Sequence, residues 1–321
     1  MTPLAGSGLQ RRSDVPNMPD VAVVLPCLNE GLSIGQVVSD FRVALPGARI
    51  FVVDNGSTDD TAIVAANAGA TVLTETLQGK GNAVRRAFAA IVADIYVIAD
   101  GDGTYDASMA PLLVACLMDE QLDMVVASRR KTTDAAFRAR HEWGNRLFNN
   151  ILRRLFGSSF TDVFSGYRVF SRRYVRSFPS TSSGFEIETE MTMHALLLRM
   201  PAKEMPAAYG TRVAGAASKL NTWRDGSRIA ATIVKFFRIY RPLSYYGILA
   251  GLGFLAGLAL FLPVYATFLN TGLVPRIPTL IVSIALGLTG LLLAAIGILL
   301  EAITASRLET RHLLYLNADR R

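Results

Sequence analysis

Two long uncharged runs near the carboxyl end most constrain how this chain of 321 residues can fold. Residues 243–275 and residues 277–300 contain no Asp, Glu, Lys or Arg. A helix needs ~20 apolar residues to cross the hydrocarbon core of a bilayer, and each run is longer than that. We therefore predict a transmembrane hairpin over residues 243–304, with spans at about 243–269 and 278–303. The alternative, a pair of buried helices in a soluble protein, is disfavoured by this length.

Positive charge flanks the hairpin on both sides. The basic residues there are Arg224, Arg228, Lys235, Arg238 and Arg241 before the first run, and Arg307, Arg311, Arg320 and Arg321 after the second. The connection between the runs carries only Arg276. Because cytoplasmic flanks of membrane spans are rich in Lys and Arg, we predict a multi-pass protein of the cell (inner) membrane whose N-terminal domain and both termini are cytoplasmic. A net charge of +7 also fits a nucleic-acid partner. Cations beside apolar spans favour anionic membrane lipids instead, so we expect no nucleic acid.

Three shorter segments complete the expected domain organisation. Residues 1–20 have prolines, polar residues and arginines but no apolar core, which predicts a flexible tail and no signal peptide. Residues 224–242 carry an amphipathic pattern, which predicts a juxtamembrane helix lying on the membrane. A helix packed on the soluble domain is the alternative. Residues 305–321 are predicted to form a cytoplasmic tail.

The first span contains glycines at the spacing that permits close helix packing. They are Gly247 and Gly251, and Gly253 and Gly257. This packing is expected either within the hairpin or between copies of the chain, so a homo-oligomer is compatible with the sequence.

Residues 21–223 alternate short apolar runs with helical patterns, which predicts an α/β domain. The first apolar runs are residues 21–25, 49–53, 71–74 and 95–99. Strands joined through helices form mostly parallel sheets that are covered by helices on both faces. Such sheets bind ligands outside the carboxyl ends of their strands, so the residues after each run are the candidate site.

Polar side chains follow these runs at the expected carboxyl ends. They are Asn29 and Glu30, Asp54, Lys80, and Asp100 with Asp102. Asp100 and Asp102 can hold a hard divalent cation such as Mg²⁺ or Mn²⁺ and leave coordination sites for phosphates. An ordinary Asp-Gly turn is the alternative for that pair alone. The convergence of several polar clusters on one sheet edge favours a ligand site.

Five motifs in a fixed order link this chain to a known family. They are residues 24–30 (VLPCLNE), 53–59 (VDNGSTD), 79–83 (GKGNA), 100–102 (DGD) and 165–168 (SGYR). Their order and spacing resemble family 2 glycosyltransferases of GT-A fold. With the C-terminal hairpin, the chain looks like the polyisoprenyl-phosphate glycosyltransferases, the group of dolichyl-phosphate mannose synthase and GtrB-like proteins. The resemblance covers residue 21 to the end, and it implies a GT-A nucleotide-sugar-binding domain followed by an interfacial helix and the hairpin.

The resemblance also implies an activity and a set of site residues. The activity is inverting transfer of a hexose from a nucleotide-diphosphate sugar to a polyprenyl phosphate, undecaprenyl or dolichyl, with Mg²⁺ or Mn²⁺ as cofactor. Carried over by position, the donor-binding residues are Pro26, Asn29, Glu30, Asp54, Lys80, Asp100 and Asp102, and the last two are also the metal ligands. The implied catalytic residues are Asp102, Arg129, Arg140 and Lys219, with Asp162 as base candidate. Departures from the family pattern at Asn55, Gly101 and Thr104 favour a UDP-sugar over GDP-mannose and leave a third metal ligand open.

The implied acceptor reduces the need for a general base. A phosphate monoester has a second pKa near ~6, so at pH 7 it is largely dianionic and already nucleophilic. A base therefore contributes less than it does for a hydroxyl acceptor. Bringing two anions together requires cations, which is the role implied for Arg129, Arg140 and Lys219. For Asp162, the alternative to a base is a salt bridge to an arginine such as Arg168.

Two other functions are compatible with parts of the sequence. A processive membrane polysaccharide synthase shares the fold, but usually has more spans and a Gln-x-x-Arg-Trp motif that this sequence lacks. A non-catalytic membrane scaffold with a transferase-like domain is the second alternative. The intact pair of Asp100 and Asp102 disfavours it.

Overall fold

The computed structural model describes residues 19–131, 160–184, 186–210, 231 and 234–318. Arg140, Lys219, most of the predicted N-terminal tail and the first part of the predicted juxtamembrane helix lie outside these residues.

The described part of the chain is an α/β domain followed by two long helices. The strands are β1 Val21–Cys27, β2 Arg49–Asp54, β3 Thr71–Thr74, β4 Ile95–Ile98, β5 Met124–Lys131, β6 Arg168–Ser171 and β7 Ala202–Tyr209. The helices are α1 Ile34–Ala44, α2 Thr61–Asn67, α3 Lys80–Ala90, α4 Ala110–Asp119, α5 Arg172–Ser177, α6 Ile187–Leu197, α7 Pro242–Thr271 and α8 Ile277–Asn317. A short 3₁₀ turn, Ala107–Met109, precedes α4, and residues 234–240 are helical.

Seven strands form one sheet in the order β3-β2-β1-β4-β6-β5-β7. Neighbouring strands are parallel except at β6, which is antiparallel to both β4 and β5. The sheet is thus mostly parallel, as predicted. We call the edge where β1, β2, β4 and β5 end the carboxyl edge, and the opposite edge the amino edge. Because β6 runs the other way, it begins at the carboxyl edge and ends at the amino edge.

The central strands β1 and β4 are apolar and buried along their length because helices cover both faces of the sheet. β1 is buried from end to end, with Val24 in the core on one face and Val23 in the core on the other. Side chains of α3, α5 and α6 fill the first core, and side chains of α1, α2 and α4 fill the second. The predicted two-sided α/β architecture is confirmed.

The helices α7 and α8 are long and apolar enough to cross a membrane. Only 17% of the most apolar window of each is buried, so within the described part of the chain most of their apolar surface has no protein partner. A Cβ on Gly257 would lie 2.9 Å from the carbonyl oxygen of Ser283, whose Oγ donates to the Gly257 carbonyl at 3.0 Å. Gly247 and Gly251 meet nothing within 4 Å in the described part of the chain. Of the two predicted glycine pairs, the second is therefore the one that packs within the hairpin.

Two segments beside the hairpin pack against the α/β domain. In the helical residues 234–240, Phe236 is buried and Tyr240 packs against the first core, so part of the amphipathic face is turned to protein. Helix α8 runs without a break to Asn317, through most of the segment 305–321 that is predicted to form a cytoplasmic tail. The reason is that Tyr315 inserts into the first core and gives the extension a protein partner.

Candidate functional site

The loops that follow β1 and β2 are hydrogen-bonded to each other at the carboxyl edge. Asn29 has a φ of 54°, a left-handed conformation that asparagine tolerates, and its Oδ1 accepts from the Thr58 N–H at 2.7 Å. The N–H of Asn29 donates to Ser57 Oγ at 3.0 Å. The N–H of Glu30 donates to Thr61 Oγ1 at 2.9 Å. These bonds place Asn29 and Glu30 beside the loop that follows β2.

The ends of β1 and β2 bring two further predicted residues to the same place. Pro26 lies inside β1, opposite Val53 of β2. Asp54, the last residue of β2, is buried, and its Oδ1 accepts from the Ser57 N–H at 3.2 Å. Pro26, Asn29, Glu30 and Asp54 therefore form one continuous part of the carboxyl edge.

Asn55 departs from the family pattern for a reason that the geometry explains. Its Nδ2 donates to the carbonyl oxygens of Glu75 at 3.1 Å and Leu77 at 2.7 Å. Its Oδ1 accepts from the Gly79 N–H at 2.6 Å. An aspartate here has no N–H to offer the two carbonyls, so the amide is the side chain that can hold this loop.

The glycines on either side of Lys80 allow a second loop to approach its backbone. A Cβ on Gly79 would lie 2.2 Å from the Ser183 carbonyl oxygen, and one on Gly81 would lie 2.1 Å from that of Ser182. Because no side chain fits there, the GKG motif brings Lys80 directly against the segment that precedes α6.

Lys80 bridges two carboxylates. Its Nζ contacts Asp100 Oδ1, and it lies 2.6 Å from Glu188 Oε1. The Lys80 side chain is 10% exposed and that of Glu188 7%, while that of Asp100 is 31% exposed. Burial opposes the charged form of Lys80, but Asp100 and Glu188 outweigh it and raise the pKa of Lys80 above its usual value. The ammonium therefore stays charged at neutral pH.

The acids at the start of α6 have specific partners that the sequence did not assign. The dipole of a helix by itself favours acidic residues in the first turn. In the structure, Glu188 pairs with Lys80, whereas Glu190 accepts from the N–H groups of Thr181 at 2.9 Å and Ser182 at 2.7 Å. Residues two apart point to different sides of a helix, so the alternating acids were the signal that one of them faces the site.

Gly166 of the SGYR motif lies against the Lys80–Asp100 pair. A Cβ there would lie 2.8 Å from Lys80 Nζ and 3.0 Å from Asp100 Oδ2. Its N–H donates to the Tyr105 hydroxyl at 2.8 Å. Gly166 and Tyr105 were not predicted as site residues; Gly166 lies against Lys80 and Asp100, and Tyr105 is linked to them through Gly166.

Asp102 lies in the same loop and is more deeply buried. It is 3% exposed, and its Oδ1 accepts from the N–H of Thr104 at 3.1 Å and from its hydroxyl at 2.6 Å. The Thr104 hydroxyl is therefore engaged by Asp102, although the position is one where the family pattern offers a further metal ligand. In the part of the chain that the structure describes, no group of three or more His, Cys, Asp or Glu is arranged to hold a metal. Asp100 and Asp102 fit a Mg²⁺ or Mn²⁺ ion held by two carboxylates and completed by phosphate oxygens, which is common for magnesium.

Cys27 leaves no room for a side chain at Gly101, the residue between these aspartates. A Cβ on Gly101 would lie 2.3 Å from Cys27 Sγ and 3.3 Å from Ile34 Cδ1. Burial raises the pKa of the Cys27 thiol well above its usual value, so the thiol packs as a neutral side chain. The Gly101 carbonyl accepts from Ser33 Oγ at 2.7 Å, which fixes the loop against α1.

We expect Gly101→Ala to be destabilising and to be rescued by a second change. The added methyl group displaces the Cys27 thiol in a packed core, at a cost of about 1–3 kcal/mol. In the double variant Cys27→Ala with Gly101→Ala, the smaller side chain at residue 27 leaves room for the new methyl group. Most of the lost stability should therefore be recovered. Thermal unfolding of the two single variants and the double variant measures the coupling. Strictly additive effects of the two changes would contradict the contact.

Arg129, near the end of β5, forms a bidentate ion pair with Asp162, which lies in the loop before β6. Arg129 Nε and Nη2 each lie 2.8 Å from a different Asp162 oxygen, and the Arg129 N–H donates to Asp162 Oδ2 at 3.1 Å. Burial opposes ionisation of Asp162, but the hydrogen bonds and charge of Arg129 outweigh it and lower the pKa of Asp162. Arg168, the arginine considered from sequence, is instead fully buried and donates to the carbonyls of Val163 and Ser165.

Comparisons with known proteins show the family of this chain. The family model described as glycosyl transferase family 2 matches residues 22–178. The Haloferax volcanii protein named glycosyltransferase AglJ is 34% identical over 235 residues, which are 73% of this chain and 77% of that protein. The dolichyl-phosphate hexose transferase of the same organism is 27% identical over 216 residues, which are 67% of this chain and 93% of that protein.

A solved structure has the same fold. It is glucosyl-3-phosphoglycerate synthase from Mycobacterium tuberculosis in complex with Mn²⁺, uridine-diphosphate-glucose and phosphoglyceric acid. The two structures match with a TM-score of 0.56 and 26% identity, covering 68% of this chain and 79% of the other.

Proposed function

This chain belongs to glycosyl transferase family 2, and on that premise we propose that it transfers a hexose from a nucleotide-diphosphate sugar to a polyprenyl phosphate at the cytoplasmic face of the membrane. The observation that carries the proposal is the presence, in one chain, of the Lys80–Asp100–Glu188 cluster at the carboxyl edge and two helices able to cross a membrane. The name of the dolichyl-phosphate hexose transferase supports a lipid-phosphate acceptor. The complex of the synthase with Mn²⁺ and uridine-diphosphate-glucose supports a divalent metal and a UDP-sugar, with GDP-mannose as the competing donor.

The carboxyl edge holds the donor in this proposal. Pro26, Asn29, Glu30 and Asp54 line the nucleoside pocket, where the bonds between the two loops keep them in place. Asp100 and Asp102 would hold Mg²⁺ or Mn²⁺, which as a Lewis acid stabilises the charge that develops on the leaving diphosphate. Lys80 adds a fixed positive charge beside that diphosphate, and Glu188 holds its side chain in position.

The acceptor phosphate attacks the anomeric carbon from the side opposite the leaving diphosphate. The bond from the phosphate oxygen to the sugar forms as the bond to the diphosphate breaks, and the configuration at that carbon inverts. A dianionic phosphate has no proton to lose in this step. Asp162 is a weak base because Arg129 lowers its pKa, so in this mechanism it holds Arg129 toward the acceptor phosphate. Arg140 and Lys219 remain proposed phosphate contacts.

A panel of nucleotide sugars tests the function. The full chain in detergent is incubated with undecaprenyl phosphate and each of a set of UDP- and GDP-hexoses, with Mg²⁺, Mn²⁺ or a chelator. Mass spectrometry of the lipid fraction should reveal one polyprenyl-phosphate hexose, formed from a UDP-sugar and only when a divalent cation is present. Phosphoglyceric acid is the parallel acceptor, because the synthase of similar fold was solved with it.

The outcomes separate the candidate acceptors. A glycosylated phosphoglycerate with no lipid product would overturn the lipid acceptor while keeping the transferase. Sugar chains of increasing length would indicate a processive synthase. An absence of any transfer or donor hydrolysis across the whole panel would indicate a non-catalytic protein.

A further inference from the structure

A buried carboxylate at the amino edge holds the end of the membrane hairpin. The Asp123 side chain, just before β5, is 0% exposed. Its oxygens accept from Ser171 Oγ at 2.6 Å, from Arg173 Nη2 at 2.7 Å and from the Tyr315 hydroxyl at 2.7 Å. The Arg173 guanidinium carbon also lies 4.9 Å from the centre of the Tyr315 ring. We call Asp123, Arg173 and Tyr315 the amino-edge clamp.

The clamp joins two parts of the protein that are far apart in the chain. Tyr315 lies near the end of α8, a helix of 41 residues that begins in the apolar hairpin. At about 1.5 Å per residue, the helix axis between Leu300, the last residue of the uncharged run, and Tyr315 is roughly 22 Å long. The extension of α8 is therefore a continuous helical strut that joins the hairpin to the amino edge.

Contacts along the strut show where it meets the α/β domain. Leu308 and His312 of α8 line a cavity together with Leu197, at the end of α6. The Pro201 carbonyl, shortly after α6, accepts from the Asp123 N–H at 2.8 Å, so α6 ends toward the amino edge. The strut therefore meets the domain at the amino edge, where the clamp lies.

We propose that the amino-edge clamp fixes the height and tilt of the carboxyl edge over the membrane, so that the phosphate of an embedded lipid acceptor meets the site. Asp123, Arg173 and Tyr315 are positioning residues in this proposal, since they lie at the opposite edge from the reacting groups. The inference rests on the proposed lipid-phosphate acceptor. Its physical basis is that holding a site in register with a membrane-bound reactant raises the effective concentration of that reactant.

The test compares an embedded with a water-soluble acceptor. The full chain is reconstituted in lipid nanodiscs and assayed with undecaprenyl phosphate and with citronellyl phosphate, a short prenyl phosphate that reaches the site from solution. Tyr315→Phe removes the hydroxyl from Asp123 and keeps the ring over Arg173. Tyr265→Phe is the matched control, because Tyr265 is 47% exposed on α7 and makes the same loss of a hydroxyl.

We expect Tyr315→Phe to raise the KM for undecaprenyl phosphate about tenfold, because the variant loses one hydrogen bond to a charged group. The kcat/KM for citronellyl phosphate should stay within about twofold of that of the unaltered chain, because the site itself is intact. Amide hydrogen exchange in residues 305–317 should accelerate, and Tyr265→Phe should change neither quantity.

The clamp and the proposed function fail in different ways. Equal losses on both acceptors would overturn the positioning role, and so would an unchanged KM together with unchanged exchange. If the unaltered chain transfers sugar to neither acceptor, the proposed function fails. The exchange measurement needs no activity, so in that case it still decides whether the clamp holds the strut.

Discussion

Replacing Asp102 by asparagine should reduce sugar transfer by about a thousandfold or more, while the protein stays folded and inserted in the membrane. The change removes one negative charge from the proposed metal pair and keeps an oxygen that accepts from Thr104. Asp102→Ala should be equally inactive but less stable, because it leaves two buried Thr104 donors without an acceptor. Transfer assays with the donor selected by the panel measure the first effect, and thermal unfolding measures the second.

The matched control is another aspartate in the same loop. Asp106 accepts from the Ser108 N–H at 2.9 Å at an exposed position, and we assign it no role in the reaction. Asp106→Asn should keep nearly full transfer. Binding of Mn²⁺ in the presence of UDP, followed by electron paramagnetic resonance, should weaken in Asp102→Asn and remain unchanged in Asp106→Asn. Unchanged turnover in Asp102→Asn would remove Asp102 from the metal pair.

The carboxyl edge was predictable because its signals are local in the sequence. Short apolar runs that alternate with helical patterns predict a parallel sheet, and that topology determines where the ends of β1, β2 and β4 meet. Asn29, Asp54, Lys80 and Asp100 therefore converge without any knowledge of side-chain contacts. The hairpin was predictable for the same reason, since the length of an apolar run is a property of the run itself.

Features that depend on partners distant in sequence were not predictable. The insertion of β6 between β4 and β5 reverses the direction of one strand, and no periodicity encodes that choice. Strand β7 contains Pro206 and lacks strict alternation, which an edge strand tolerates but which hides the strand in the sequence. The contact that holds the extension of α8 was not predictable because the partner of Tyr315, Asp123, lies 192 positions earlier.

Two departures from the family pattern turn out to be compensated inside this chain. Gly101 fits because Cys27 occupies the space of a Cβ, and Asn55 fits because two carbonyls need a donor. Read from the sequence, both looked like evidence about the sugar or the nucleotide. The structure accounts for both through packing and hydrogen bonding, so they carry less information about the donor than the motif comparison implied.

Removing the Lys80 charge should have the second large effect, and it separates folding from catalysis. In Lys80→Met the Glu188 carboxylate is left buried without its cation, which should lower the free energy of unfolding by about 3–5 kcal/mol. Adding Glu188→Gln removes that buried charge, so the double variant should recover most of the stability. The rate of sugar transfer should remain at least about a hundredfold below that of the unaltered chain in both the single and the double variant, because neither has a positive charge beside the donor diphosphate.

An exposed ion pair in the same domain serves as the control for this cycle. Lys203 and Glu120 pair at the surface with both side chains 47% exposed, so Lys203→Met with Glu120→Gln should alter neither the unfolding midpoint nor transfer appreciably. Thermal unfolding and transfer rates of all four site combinations give the coupling between Lys80 and Glu188. Recovery of transfer together with stability in the double variant would mean that Lys80 only balances Glu188 in the fold. Recovery of stability without recovery of transfer would mean that the Lys80 ammonium takes part in the reaction.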